Sequence, residues 1–123
     1  MSGNKLLLDT NIILYLLRGD TTLVNILEGK QVYISFVTEL ELYSFKELNA
    51  ADRSKIDAIL EACSIIDINA GVKAKTIEVR RLYKIKLPDS IIAGTALYFK
   101  MPLITADKDF EKIEELNLLN YEI

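Results

Sequence analysis

Short apolar segments alternate with longer helical segments along the whole chain, and this alternation restricts the fold more than any other feature. Five segments are short and continuously apolar, which is typical of strands covered on both faces of a parallel sheet. They lie near residues 5–8, 32–34, 64–68, 103–105 and 118–121, and helices are predicted near residues 10–18, 21–28, 36–48, 52–63, 70–84, 89–99 and 108–116. The expected fold is a three-layer α/β domain with right-handed crossovers.

The length of the chain predicts one domain. Its 123 residues are enough to bury a core without disulfides, so a single domain over residues 1–123 is expected. The longest apolar run, Ile12 to Leu17, is far shorter than the roughly 20 residues of a membrane-spanning helix. The first residues lack the apolar segment of a secretory signal, and the single cysteine, Cys63, cannot form an internal disulfide. We therefore expect a cytoplasmic protein without membrane contact, with Cys63 as a small buried residue on a helix.

Four acidic residues each adjoin or follow a short apolar run. They are Asp9, Glu41, Asp89 and Asp107. In open parallel sheets, binding sites form beyond the carboxyl ends of the strands, where residues distant in sequence can meet. Gathered carboxylates bind hard cations such as Mg²⁺. The chain has no histidine, which excludes imidazole acid–base chemistry and histidine-ligated zinc. The pattern favours metal-assisted attack of water on a phosphodiester.

Each of these acids also has a purely structural explanation. Asp9 and Asp107 are positioned to cap the helices that follow them, and Asp89 follows a proline where an acid stabilises the helix dipole. Thr38 and Glu41 have the spacing of a capping box, which would make Glu41 structural. Caps need not all fall at one end of a sheet, and this favours a shared site.

The charge is unevenly distributed. A net charge of −3 argues against a general polyanion-binding protein. Between residues 73 and 86, however, a single acid, Glu78, accompanies six basic residues: Lys73, Lys75, Arg80, Arg81, Lys84 and Lys86. A basic helix that leads to Asp89 could hold a phosphate backbone beside an acidic site, or it could simply be a solvated helix face.

Four segments, in their order and spacing, resemble the motifs of the PIN-domain ribonucleases, and in particular of the small VapC-like toxins of prokaryotic toxin–antitoxin pairs. They are residues 6–11 (LLLDTN), 34–42 (ISFVTELEL), 87–96 (LPDSIIAGTA) and 103–110 (LITADKDF). No single segment is specific, but together they cover essentially the whole chain. The resemblance implies a PIN-like α/β fold, with a mainly parallel five-stranded sheet flanked by helices.

The resemblance also implies which residues form the site. The catalytic and metal-binding set would be Asp9, Glu41, Asp89 and Asp107, with Mg²⁺ or Mn²⁺ as cofactor. Thr10, Asn11 and Thr105 match polar positions that orient the carboxylates, and Asp109 matches a peripheral acid. The family pattern Ser-x-x-Thr-x-x-Glu-Leu at residues 35–42 selects Glu41 over Glu39. Residues two apart on a helix point about 200° away from each other, so only one of these two glutamates can face the site.

The function implied by the resemblance is hydrolysis of RNA, leaving a 5′-phosphate and a 3′-hydroxyl. The family further implies a homodimer with a composite groove and a protein antitoxin that fills this groove. The apolar helices over residues 10–28 and 36–48 would suit a partner contact, although they could equally pack only inward.

Three other functions are alternatives to a ribonuclease. A phosphoacceptor receiver domain requires an acidic pair after the first strand and a lysine after the fifth, and the chain shows neither feature. A catalytically silent binding module with the same fold would keep the acids without cleaving RNA. A DNA-directed nuclease would differ only in its substrate.

Overall fold

A five-stranded parallel sheet forms the centre of the molecule in a computed structural model that describes residues 4–122. The strands are β1 (Lys5–Leu8), β2 (Gln31–Ser35), β3 (Ser64–Ile66), β4 (Leu103–Thr105) and β5 (Leu118–Asn120). Their order across the sheet is β3-β2-β1-β4-β5, and all four neighbouring pairs are parallel. The central strand pairs on both sides, with Leu7 beside Tyr33 of β2 and Leu103 of β4. The predicted five-stranded sheet is confirmed.

Six α-helices connect the strands. They are α1 (Thr10–Leu17), α2 (Thr21–Leu27), α3 (Phe36–Tyr43), α4 (Ala50–Glu61), α5 (Ala70–Leu82) and α6 (Leu87–Phe99). A short 3₁₀ helix, Lys108–Lys112, lies between β4 and β5. Gly19 and Gly29 follow α1 and α2 with φ angles of 89° and 78°, a left-handed conformation that glycine adopts without steric cost. Among the helices of residues 4–122, none has the length and apolar character needed to cross a membrane.

The sheet separates two apolar layers. Successive side chains of a strand point to opposite faces, so Leu6 and Leu8 of β1 enter one layer and Leu7 enters the other. The first layer also contains Ile12 of α1 and Ile56 of α4, both fully buried. The second layer is built from α5, α6 and the 3₁₀ helix, and it includes Val79, Ile92 and Phe110. The helices therefore cover both faces of the sheet, as the uninterrupted apolar strands predicted.

Two predictions about α3 are wrong. The helix begins directly at the end of β2, where the side chain of Ser35 accepts a hydrogen bond from the backbone N–H of Val37 at 3.1 Å. Thr38 is therefore the third residue of the helix, not its cap, and the predicted capping box does not exist. The helix also ends at Tyr43 rather than near residue 48. At its end, the hydroxyl of Ser44 donates to the carbonyl of Leu40, as serine does when it competes with continued helix.

Cys63 is also placed differently from the prediction. It lies just beyond α4, which ends at Glu61, and its side chain is only partly buried against the first apolar layer. Burial raises the pKa of its thiol to about 11, which disfavours the thiolate form near neutral pH.

Candidate active site

The ends of three adjacent strands bring the predicted acidic residues together. Asp9 follows β1, the central strand, and Asp107 follows β4 on one side of it. On the other side, β2 leads directly into α3, which carries Glu41 on its second turn. Asp89 is the third residue of α6. Because parallel strands share one carboxyl edge, these segments converge although they are far apart in sequence.

Asp9 is the most enclosed acid of the group, with 5% of its surface exposed. It caps α1, and its Oδ1 accepts a hydrogen bond from the backbone N–H of Thr10 at 2.8 Å. Its Oδ2 accepts a second bond, from the hydroxyl of Thr105 at 2.7 Å. Burial raises the pKa of Asp9, and the charges of Asp107 and Glu41 raise it further, while the two hydrogen bonds oppose the shift. The fold thus holds Asp9 in one orientation and makes its ionisation less favourable than that of an exposed aspartate.

Thr105 links Asp9 to the segment that carries Asp107. Its hydroxyl donates to Asp9 and accepts a hydrogen bond from the backbone N–H of Asp107 at 2.9 Å. Thr105 is fully buried, and its bond to Asp9 is shielded from solvent. Asp107 in turn caps the 3₁₀ helix, with its Oδ1 accepting from the backbone N–H of Asp109 at 2.9 Å. The predicted cap at Asp107 is present, and the residue still lies beside the other acids.

Thr10 and Thr38 link the start of α1 to Glu41. The hydroxyl of Thr10 donates to Oε1 of Glu41 at 2.6 Å and lies 3.0 Å from the hydroxyl of Thr38. Since a hydroxyl has a single proton to donate, Thr38 must be the donor to Thr10. Thr38 is fully buried, whereas Glu41 is exposed. The two threonines therefore form a chain of hydrogen bonds that starts in the core and ends on Glu41.

The negative charges of the other three acids act on Asp89. Its pKa is raised to about 6, first by burial and then by the negative charges of Asp9, Asp107 and Glu41. The ammonium group of Lys86 acts in the opposite direction and lowers this pKa. Such shifts require the charges to be close, so the four carboxylates form one electrostatic site at the edge of the sheet.

Two of the remaining predicted residues lie at the margin of this site. The side-chain oxygen of Asn11 accepts a hydrogen bond from the backbone N–H of Ala106 at 3.3 Å, so it joins the start of α1 to the segment after β4. The carboxylate of Asp109 is exposed and lies 3.7 Å from the ammonium of Lys112. Asn11 thus supports the backbone between Thr105 and Asp107, whereas Asp109 is engaged by a lysine.

Sequence reasoning missed the role of Thr38. The sequence pattern predicts that Thr38 is part of a cap for α3. In the structure, its hydroxyl is hydrogen-bonded to Thr10, which in turn donates to Glu41. The signal was present in the spacing, because residues three apart lie on the same face of a helix. Thr38 and Glu41 have this spacing.

The donor atoms of the site suit a hard cation. Carboxylate and hydroxyl oxygens are the ligands that Mg²⁺ and Mn²⁺ prefer, and the chain has no histidine. Within residues 4–122, no three acidic or thiol side chains are already close enough to ligate one ion together. Mg²⁺ commonly binds one or two carboxylates and keeps several of its water molecules. The arrangement therefore fits a metal held partly through water, and it does not fit a metal enclosed by protein ligands.

Comparison with known proteins agrees with this architecture. The family model described as the PIN domain matches residues 6–116. A curated relative, Ribonuclease VapC2 of Methanocaldococcus jannaschii, is 23% identical in an alignment 142 positions long. The alignment covers 97% of this chain and 95% of the relative.

Solved structures from two toxin–antitoxin systems share the fold. A chain of a toxin–antitoxin complex from Klebsiella pneumoniae is 32% identical, with a TM-score of 0.80, over 95% of this chain and 98% of that one. A chain of VapBC2 from Rickettsia felis, bound to a DNA fragment from its promoter, is 26% identical, with a TM-score of 0.85. The match covers 96% of this chain and 99% of that one. Because the match to the family model extends over most of the sequence, this chain belongs to the PIN domain family.

Proposed function

We propose that this chain is an endoribonuclease that depends on Mg²⁺ or Mn²⁺ and acts as the toxin of a toxin–antitoxin pair. The observation that carries the proposal is the group of four carboxylates at one edge of the sheet, two of which, Asp9 and Glu41, accept hydrogen bonds from threonine hydroxyls. The names of the similar proteins, a ribonuclease and the toxin–antitoxin complexes, support the choice of substrate and partner. We further infer that residues 1–123 form one PIN domain.

The residues of the site would have different roles in the reaction. Asp9, Glu41, Asp89 and Asp107 would together hold the metal. When bound, the metal would lower the pKa of a coordinated water and stabilise charge on the phosphoryl oxygens. Asp9 or Asp89 would orient the attacking water by accepting a hydrogen bond from it. The hydrogen bonds from Thr10 and Thr105 would keep the carboxylate of Asp9 in place during this step.

The proposal is tested by cleavage of a panel of total and structured RNAs in Mg²⁺, Mn²⁺ or excess EDTA. We expect discrete RNA fragments that disappear in EDTA and decrease about 100-fold or more in the Asp89→Asn variant. The control is Glu61→Gln, the same carboxylate-to-amide change at an exposed position at the end of α4. This variant should cut like the parent.

Other outcomes of the same experiment would point to the alternatives. Duplex and single-stranded DNA of matching sequence are included in the panel. Cleavage of DNA in preference to RNA would indicate a DNA-directed nuclease. No cleavage of any nucleic acid by folded protein that binds Mg²⁺ would contradict the enzymatic proposal and favour a silent binding module.

We also propose a protein antitoxin and a homodimer as the partners of this chain. A groove lies between α1, in one of the two regions predicted to suit a partner, and the start of α4, which lies outside both regions. Its lining combines apolar and charged side chains: Leu14, Leu17, Phe45, Leu48 and Ile56, with Arg18, Glu47, Asp52 and Lys55. Light scattering of the purified chain tests the dimer, and a monomer at micromolar concentration would contradict it. Relief of growth arrest by the product of the adjacent reading frame tests the antitoxin.

A further inference from the structure

A concave basic surface lies next to the acidic site. It is lined by Arg80 at the end of α5 and by the turn that connects α5 to α6, residues 83–86, hereafter the 83–86 turn. Lys84 and Lys86 supply the cations of this turn, and both are exposed. Lys86 precedes α6 by one residue and Asp89 by three, and side chains three apart at a helix start are neighbours. The positive surface therefore begins beside one of the four carboxylates.

The positive charges of this surface are available to a ligand. The ion pairs formed among residues 4–122 are Lys75 with Glu78 and Lys112 with Asp109, and neither involves Arg80, Lys84 or Lys86. Glu115, on the segment between the 3₁₀ helix and β5, accepts a hydrogen bond from the hydroxyl of Tyr83 at 2.8 Å. Three cations close to a strongly acidic site, none paired with a carboxylate in the described part of the chain, form a local field that attracts anions.

The backbone of the 83–86 turn is fixed in place. The guanidinium group of Arg80 donates to the carbonyl of Ile85 at 2.8 Å, and the hydroxyl of Ser90 donates to the carbonyl of Lys86 at 2.9 Å. The side chain of Ile85 is buried in the second apolar layer. Because the turn is tied to both helices, its lysines start from fixed backbone positions relative to Asp89. Such preorganisation reduces the entropy lost when a ligand binds.

We propose that the 83–86 turn binds a backbone phosphate of the RNA next to the phosphodiester that is cleaved. This inference rests on the proposed function. Lys84 and Lys86 contact the phosphate, and Arg80 positions the turn through its bond to Ile85. Four carboxylates repel the RNA backbone, so a substrate needs an adjacent positive surface to approach them. The 83–86 turn is a surface of this kind at the start of the helix that carries Asp89.

The test measures RNA binding without cleavage. The probe is a fluorescent single-stranded oligouridylate of 20 nucleotides, in EDTA, and its affinity is measured by anisotropy at several KCl concentrations. Two double variants that each lose two positive charges are compared, Lys84→Ala/Lys86→Ala and Lys30→Ala/Lys100→Ala. Lys30 precedes β2 at the amino edge of the sheet, and Lys100 follows α6, at the opposite end of that helix from Asp89. Both control positions are exposed.

The expected result is a change in salt dependence. Each phosphate contact on a single strand contributes about 0.7 to the slope of log affinity against log salt. The Lys84→Ala/Lys86→Ala variant loses the contact with one phosphate and should therefore lose about 0.7 from this slope, and the control variant should keep the slope of the parent. Equal slopes in the two variants would overturn the inference, as would a parent protein that binds no RNA.

The inference and the proposed function fail in different ways. Cleavage in Mg²⁺ is measured on the same preparations. A parent protein that cuts RNA but shows equal slopes in both variants would retain the ribonuclease and lose the subsite. A parent protein that binds RNA through the two lysines but cuts nothing would retain the subsite and lose the ribonuclease.

Discussion

Asp9 and Asp89 are acidic side chains whose ionisation is opposed by their surroundings. Burial is the main cause for both residues, and neighbouring carboxylates add to it. When a carboxyl group has a higher pKa in the folded protein than in the unfolded chain, its deprotonation favours unfolding. These side chains therefore lower the stability of the metal-free protein near neutral pH, and a bound cation would remove much of that penalty.

The stability of the Asp89→Asn variant should reveal this effect. The pKa of Asp89 is about 6 in the folded chain, compared with 3.8 for an ordinary aspartate. Its contribution to stability is complete below pH of about 3.8 and is lost as the pH rises through about 6. In EDTA, the variant should thus gain in thermal midpoint relative to the parent as the pH increases from 4 to 7.5. Mg²⁺ should then raise the midpoint of the parent more than that of the variant. A midpoint difference that is independent of pH would contradict the expectation.

The hydroxyl of Thr105 can be tested by a change that keeps the shape of the side chain. Thr105→Val removes the donor to Asp9 and the acceptor for the backbone N–H of Asp107. Leaving buried polar groups without partners costs about 1–3 kcal/mol each, so the free energy of unfolding in urea should fall by at least that amount.

A matched control for this change is Thr95→Val. Thr95 is also buried, but its hydroxyl bonds only to the carbonyl of Ile91 within α6. That carbonyl keeps its helical partner, so the loss should be below about 1 kcal/mol. Equal losses of unfolding free energy in the two variants would show that the two hydrogen bonds of Thr105 stabilise the fold no more than the single hydrogen bond of Thr95.

Among the elements, the pair formed by α5 and α6 depends most on small side chains. Thr76 of α5 faces Gly94 of α6, and Gly71 near the start of α5 faces Tyr98 near the end of α6. The two helices therefore run antiparallel and approach closely at Gly94. A Cβ atom there would lie 2.5 Å from Oγ1 and 2.9 Å from the backbone nitrogen of Thr76. This contact sets the position of the helix that carries Asp89.

Gly94→Ala should consequently push the two helices apart. Alanine is favoured over glycine in a helix by about 1 kcal/mol, but the backbone of Thr76 cannot move aside as a flexible side chain would. We expect a net loss of about 1–3 kcal/mol in the free energy of unfolding, measured with urea. Gly71→Ala should cost less, because its neighbour is the partly exposed ring of Tyr98, which can rotate away. A Gly94→Ala variant as stable as the parent would show that helix propensity outweighs the contact.

For the molecule as a whole, the sequence was most informative where one physical rule dominated. Uninterrupted apolar runs predicted the parallel strands, and the shared carboxyl edge of such strands predicted that Asp9 and Asp107 would meet. The order of the strands was not predictable, because every strand has a similar apolar pattern. The start of α3 at residue 36 agrees with the prediction, but its cap was mispredicted, since β2 runs into the helix without a loop and Ser35 takes the place expected of Thr38. Side-chain separations in a metal site also depend on the ion, which no sequence pattern contains.

The order of the strands in the sheet also determines when, during translation, the acidic site can form. The hydrogen bond between Thr105 and Asp9 joins residues 96 positions apart, and β1 receives β4 as a neighbour only after α5 and α6 have been made. A chain that is still being translated thus has Asp9 long before it has the groups that complete the acidic site. A nascent chain that ends before β4 would therefore lack that site. The acidic site is complete only after Asp107 has been added to the chain.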